Sequence, residues 1–256
     1  MDVQSLTSDR AISNFRNARQ LSTSHDDLEA TTSVFSRPSR IQAYGTYTLP
    51  SRTDITLYYE GTSGVPLVYV TNGDLNGDLV NGNDPIYVPR NATDPSEILI
   101  GSYVAATGVF TQNVAQAQAF ENFIKSQPCL DRQRGRIMGR DSCRSPFQNR
   151  LDLSIRQAIP SVRGQTLSLQ LDIFNFLNLL DPNWGQIKLP TLSPVFNNQS
   201  ALSQTARTAG PLSTSQPVFT FDSRLYDATT LQPKAFIARS VLSSNYQVQL
   251  TLRYAF

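Results

Sequence analysis

The sequence predicts an all-β chain, the carboxy-terminal portion of a transmembrane antiparallel β-barrel with about five wall strands, long loops and one short loop helix. Three observations carry this: strict period-two alternation in five places, a terminal stretch with aromatics at both ends of its apolar face, and connections that alternate between very short and very long. Composition agrees. Of 256 residues only 16% are charged while 39% are hydrophobic, so the chain is neither a disordered polyelectrolyte nor a long charged helix.

The first alternating stretch sets Ile41, Ala43, Tyr47 and Leu49 against Gln42, Tyr44, Thr46 and Thr48, around Gly45. After a Pro/Ser/Arg/Thr turn, Ile55, Leu57 and Tyr59 alternate with Thr56, Tyr58 and Glu60. A third stretch sets Leu151, Leu153 and Ile155 against Arg150, Asp152, Ser154 and Arg156, charges that would be costly inside a small sandwich core. Beyond a second tight turn at residues 160–165, Leu167, Leu169, Leu171 and Ile173 alternate with Ser168, Gln170 and Asp172. Last come Tyr246, Val248, Leu250, Leu252, Tyr254 and Phe256, interleaved with Gln247, Gln249, Thr251, Arg253 and Ala255. About 9 to 11 residues is the length that crosses a bilayer at the tilt of a barrel strand. A greasy outside flanked by aromatic girdles and a wet lumen is the pattern of such barrels. On this reading Arg150, Asp152, Arg156, Gln247, Gln249 and Arg253 face the lumen.

The connections at 61–148 and 178–245 are very long, and the asymmetry matches short periplasmic turns and long extracellular loops. Within them, residues 114–125 suit an amphipathic helix with Ala115, Ala119, Phe120, Phe123 and Ile124 on one side, stopped by Pro128. The runs 65–70 and 219–221 suit short strand extensions or hairpins, and the Ser/Thr/Gln-rich stretch 198–216 suits a mobile loop. Composition marks no second domain, and one domain over residues 1–256 is expected. No window nears the roughly 18 apolar residues of a membrane-spanning helix, and residues 1–30 hold no apolar leader segment.

Candidate sites are few. Asp74, Asn76 and Asp78 place oxygens at alternate positions, with Asp84 following, a spacing that suits calcium as the one conceivable cofactor. An ordinary Asn/Asp/Gly turn cluster is the competing reading, because Leu79 and Pro85 stand where a calcium loop wants glycine and glutamate. Cys129 and Cys143 would close a loop of about 15 residues if bridged, and would otherwise be two thiols. Arg132, Arg134, Arg136, Arg140 and Arg144 bracket them as solvated loop charge or an anion-binding patch. No aromatics interleave to stack bases, and the net charge is only +2, so nucleic acid is not an expected partner. His25 is the sole histidine, beside Asp26 and Asp27, which leaves no catalytic constellation and an expectation of no enzyme activity.

The string Asp172-Ile173-Phe174-Asn175-Phe176-Leu177-Asn178-Leu179-Leu180, followed by Trp184-Gly185 and the terminal Leu250-Thr251-Leu252-Arg253-Tyr254-Ala255-Phe256, resembles the carboxy-terminal end of TonB-dependent outer-membrane receptors, in particular the Oar-like group. The likeness extends through residues 2–8, 73–78, 83–89 and 149–154, and so over practically the whole chain. It implies a receptor and transporter in the outer membrane of a diderm bacterium, with a barrel of about 22 strands. Its implied partners are outer-membrane lipid, the remainder of the barrel and a plug, TonB acting through that plug, and the barrel-assembly machinery that reads the terminal strand. Plug and TonB box are missing here, so the expectation is a carboxy-terminal piece of a longer receptor, with Met1 internal to it. A small outer-membrane or secreted β-protein acting as an adhesin or structural surface protein is the alternative.

Overall fold

The computed structural model describes residues 4–5, 31–32, 36–77, 81–160, 165–192, 198–238 and 244–255. His25, Asp78 and Phe256, residues 2–3 and 6–8 of the resemblance, and most of the 160–165 turn lie outside the described residues. In chain order the main elements are β1 (Arg40–Thr48), β2 (Thr53–Thr62), β3 (Pro66–Asn72), β4 (Leu99–Val104), β5 (Val109–Gln112), α1 (Val114–Ser126), β6 (Cys143–Arg144), β7 (Gln148–Pro160), β8 (Thr166–Phe174), α2 (Phe176–Leu180), β9 (Asn198–Arg207), β10 (Pro217–Phe221) and β11 (Gln247–Ala255). The chain is mostly β, and no helix among the described residues is long and apolar enough to cross a membrane. It divides into two compact units, one formed by residues 37–64, 146–189 and 238–256, the other by residues 1–36, 65–145 and 190–237.

The first unit is a five-stranded antiparallel sheet in the order β11-β8-β7-β2-β1. These are the five alternating stretches. Among the described residues the sheet is open: it does not close into a barrel, and β1 and β11 are its outermost strands. Register fixes the faces, because every second residue points the same way. Tyr47, Ile55, Ile155, Leu171 and Leu250 form one row across all five strands, and Gly45, Leu57, Leu153, Ile173 and Val248 form the next. The β1–β2 turn is tight. Leu49 N–H donates to the Thr53 carbonyl at 2.8 Å, Arg52 N–H to the Leu49 carbonyl at 3.0 Å, and Arg52 takes a left-handed φ of 62°.

The second unit corrects the loop expectation. The two long connections do not carry separate local elements; they fold together around one core. Their six-stranded sheet runs β6-β3-β9-β10-β4-β5, with parallel β3–β9 and β10–β4 pairs. Residues 65–70 are not a strand extension, because β3 sits inside this sheet with Leu67, Val68, Tyr69 and Val70 buried. Nor is the start of the 198–216 stretch a mobile loop: β9 carries Gln199, Ala201 and Leu202 into the interior. The absence of a compositional boundary follows from this interleaving, since each unit is assembled from separated segments.

α1 packs on that sheet. Asn113 caps it, its Oδ1 accepting Gln116 N–H at 3.1 Å, and Lys125 in the last turn suits the helix dipole. The buried face holds Ala117, Ala119, Phe120, Phe123 and Ile124, so four of the five expected residues are enclosed, while Ala115 is exposed and Ala117 is buried instead. Phe221 ties the layers together, its ring 5.1 Å from Phe120, 5.4 Å from Phe123 and 5.4 Å from Tyr226. Tyr69 meets Phe123 edge-on at 5.1 Å, and burial pushes its phenol pKa upward.

Cys129 and Cys143 are joined in a disulfide with Cα atoms 5.3 Å apart. In the chain-entropy model a loop of this size is stabilised by about 3 kcal/mol. Reduction with dithiothreitol is therefore expected to speed hydrogen exchange of α1, read by mass spectrometry, while leaving β7 and β8 of the other unit unchanged. Equal loss of protection in both units would contradict this.

Candidate functional site

The five-stranded sheet has two chemically opposite faces. On one, the rows contain mainly Ile, Leu, Val and Tyr with a few small residues, interrupted by Thr53 and Gln157, which are hydrogen-bonded to each other, and by Asn149; the apolar side chains of the edge strands stand in the open, with Leu250 and Leu252 each 67% exposed. Val248 and Tyr254 of the predicted terminal strand lie on this face, register with β8 setting Val248 against Ile173 and Tyr254 against Leu167, while Tyr246 precedes the strand, which begins at Gln247. Folded water-soluble monomers rarely present so continuous an apolar surface.

The other face holds every lumen-predicted residue, since Arg150, Asp152, Arg156, Gln247, Gln249 and Arg253 all fall in its registers. It is laced by cross-strand hydrogen bonds. Arg40 Nη2 reaches Glu60 Oε1 at 2.6 Å, Gln42 Nε2 donates to Tyr58 Oη at 2.9 Å, the Thr46 and Thr56 hydroxyls meet at 2.9 Å, and Thr48 Oγ1 donates to Asp54 Oδ1 at 2.8 Å. Arg150 Nε donates to Asp152 Oδ1 at 2.9 Å, and Gln170 Nε2 donates to both oxygens of Asp172 at 2.9 and 3.0 Å. Such solvated pairs add little stability. They pair Arg40 with Glu60 and Arg150 with Asp152, and over the whole face four arginines, Arg40, Arg150, Arg156 and Arg253, equal in number the carboxylates Asp54, Glu60, Asp152 and Asp172.

The Phe174-Asn175-Phe176-Leu177-Asn178 segment, with Trp184-Gly185, is a latch where β8 ends. Asn175 takes a left-handed conformation, tolerated by asparagine, and its backbone N–H donates to Asp152 Oδ1 at 2.8 Å. Its side-chain Nδ2 donates to the Gly185 carbonyl at 3.0 Å. Asn178 Nδ2 donates to the Pro182 and Trp184 carbonyls at 2.9 and 3.0 Å, and its Oδ1 accepts Tyr246 N–H at 3.2 Å, ahead of β11. Two asparagines thus hold the 182–185 turn and the entry to the terminal strand. Sequence reading found the motif by resemblance, but period-two patterning carries no sign of these bonds.

Gly185 has φ of 63°, and a Cβ there would stand 2.0 Å from Asn175 Oδ1. Gly185→Ala combines left-handed strain with a displaced latch asparagine, for about 2 kcal/mol. The adjacent Trp184, the only tryptophan, should report a lower urea midpoint by fluorescence. An unchanged midpoint would show that the latch contributes nothing.

In the 74–84 loop the carboxylates brace backbone. Asp74 Oδ1 accepts Gly77 N–H at 2.7 Å, and Asp84 Oδ2 accepts Leu75 N–H at 2.9 Å. Asn76 is exposed, and Asp78 lies outside the described residues. Among the described residues no three metal-ligating His, Cys, Asp or Glu side chains converge.

The arginines near the disulfide are not one solvated group. Arg134 is only 19% exposed and grips Glu121 of α1, with Nη2–Oε1 at 3.0 Å and Nη1–Oε2 at 3.1 Å, while also donating to the Pro89 and Arg90 carbonyls. Burial alone would push the Glu121 carboxyl up, but the Arg134 and Ala92 N–H hydrogen bonds outweigh it and hold the group below its ordinary range.

Set beside protein-family models, curated proteins and solved structures, the chain matches none of them.

Proposed function

We propose that the five-stranded sheet is part of the wall of an outer-membrane β-barrel of the TonB-dependent receptor and transporter kind, and that the chain serves uptake of a ligand rather than catalysis. One observation carries this reading: a predominantly apolar face, exposed at its edge strands and interrupted chiefly by Gln157 and Thr53, lies back to back with a predominantly polar face on which arginines and carboxylates are equal in number. Lipid outside and water within is the arrangement that suits both.

Strand direction supports it. The connections from β2 to β7 and from β8 to β11 leave the same end of the sheet and contain the cored unit, whereas the β1–β2 and β7–β8 turns lie at the opposite end. In a barrel wall this puts the tight turns in the periplasm and the starts of the long connections on the cell-surface side. Among the described residues no further strand pairs with β1 or β11, and a barrel wall would continue from both, since open ladder groups in hydrocarbon cost several kcal/mol each. TonB, a plug and the barrel-assembly machinery are partners in this proposal, the last engaging β11.

The purified chain should require detergent and should partition into lipid vesicles. Leu250→Arg, midway along β11, should weaken partitioning by at least thirtyfold, in line with about 2 kcal/mol or more for arginine on a lipid-facing strand. A compact monomer in plain buffer, with no vesicle association and no effect of Leu250→Arg, would overturn the proposal and favour a secreted sandwich.

A further inference from the structure

We propose that the polar face carries a binding site for a neutral, hydroxyl-rich solute, an oligosaccharide, at the end of the sheet next to the latch. The proposal deepens the barrel-wall reading and rests on it for the route by which the solute arrives.

Three features converge. First, a cleft of about 170 Å³ opens where Glu60, Thr62, Gln148 and Arg150 of β2 and β7 face Gly185 and Gln186. Its groups donate and accept hydrogen bonds at close quarters, as recognition of vicinal hydroxyls demands. Second, one same-face step along β1 and β2 from the Gln42–Glu60–Arg150 row, whose Glu60 and Arg150 line the cleft, Tyr44 lies directly across from Tyr58. The Tyr44 ring is 84% exposed although it lies on the polar face, where the lipid girdle gives no reason for an aromatic. A flat ring beside a hydrogen-bonding cleft suits the C–H face of a sugar, apolar on its body and polar at its rim.

Third, the charges are already spoken for. Glu60 is held by Arg40 and Arg150 by Asp152. Arginines and carboxylates balance across the whole face, so no field of one sign draws in a polyanion or a polycation. Paired ions keep spare lone pairs and N–H groups in fixed directions, which serves an uncharged hydroxyl partner.

The test uses the full chain in detergent and calorimetric titration with linear hexasaccharides of α-1,4-glucan, β-1,4-glucan, β-1,4-mannan and β-1,4-xylan, with oligogalacturonate as the acidic counterpart. At least one neutral saccharide should saturate, with affinity insensitive to salt. Tyr44→Ala and Gln148→Ala should each weaken it about tenfold, while Gln249→Ala, on the same face three strands from β2, should leave it unchanged. Trp184 fluorescence checks that each variant keeps the latch. The proposal is overturned if no neutral saccharide saturates, if oligogalacturonate binds more tightly, or if Tyr44→Ala has no effect. Vesicle partitioning without saccharide binding would sink this inference alone, whereas saccharide binding by a water-soluble monomer would sink the barrel wall and leave the cleft standing.

Discussion

Replacing Arg134 with methionine should destabilise the helix-bearing unit by about 3 kcal/mol, since removing one partner of a largely buried ion pair strands the other. Glu121 would keep Ala92 N–H at 3.0 Å and the exposed Lys125 at 3.3 Å, but lose both guanidinium contacts. The loss should appear as faster hydrogen exchange across Val114–Ser126. Acid sensitivity gives a second readout. Glu121 and Asp222 both have carboxyl pKa values held below the ordinary range, against the upward push of burial, by Arg134 and Arg224 respectively. Groups depressed in the folded state contribute stability above their unfolded pKa, about 4, and lose it as pH falls through the folded value. The wild-type unit should therefore weaken below about pH 4. In Arg134→Met the Glu121 contribution to that acid loss disappears, so the pH dependence should be shallower. An equal acid slope in both proteins would show that the pair carries no linkage.

Phe221→Ala should cost about 3–5 kcal/mol, the range for removing a fully enclosed aromatic. Its ring is 2% exposed and touches Phe120, Phe123 and Tyr226, so the hole would open between sheet and helix. Neighbouring rings are themselves enclosed, which limits collapse into the space. Loss of near-ultraviolet dichroism from the tyrosines of this unit, with Trp184 fluorescence intact, is the expected signature. A cost under about 1 kcal/mol would mean that the core is loosely packed.

The five-stranded sheet was legible because apolar and polar residues alternate along each of its strands, so that one face is mainly apolar and the other mainly polar. Leu167, Leu169 and Leu171 against Ser168, Gln170 and Asp172 admit little else. The six-stranded sheet was not legible, for opposite reasons in two strands. In β3, Leu67 to Val70 are enclosed on both faces and form a continuous apolar run without period. In β9, Ser, Thr, Gln and Ala disguise a strand whose enclosed positions are Gln199, Ala201 and Leu202. At the proposed saccharide cleft, Glu60 and Arg150 were visible as polar-face residues. Tyr44 was visible only as an aromatic on the wrong side of an alternating strand, and the closing wall at Gln186 depends on how Asn175 and Asn178 fold the turn.

The parallel pairing of β3 with β9 bears on biogenesis. Residues 66–72 lie more than a hundred positions ahead of their partner, and β7, β8 and α2 are encoded between them. During synthesis, with the amino-terminal end leading, this apolar ribbon must wait without β9 until residue 207 has emerged. Pairing of such remote segments is slow. The Cys129–Cys143 bond needs nothing downstream of residue 143, so oxidation can clamp one side of the waiting intermediate early. Refolding with the disulfide reduced would then leave more chain open to added protease, and the cleavage would begin near residues 66–72.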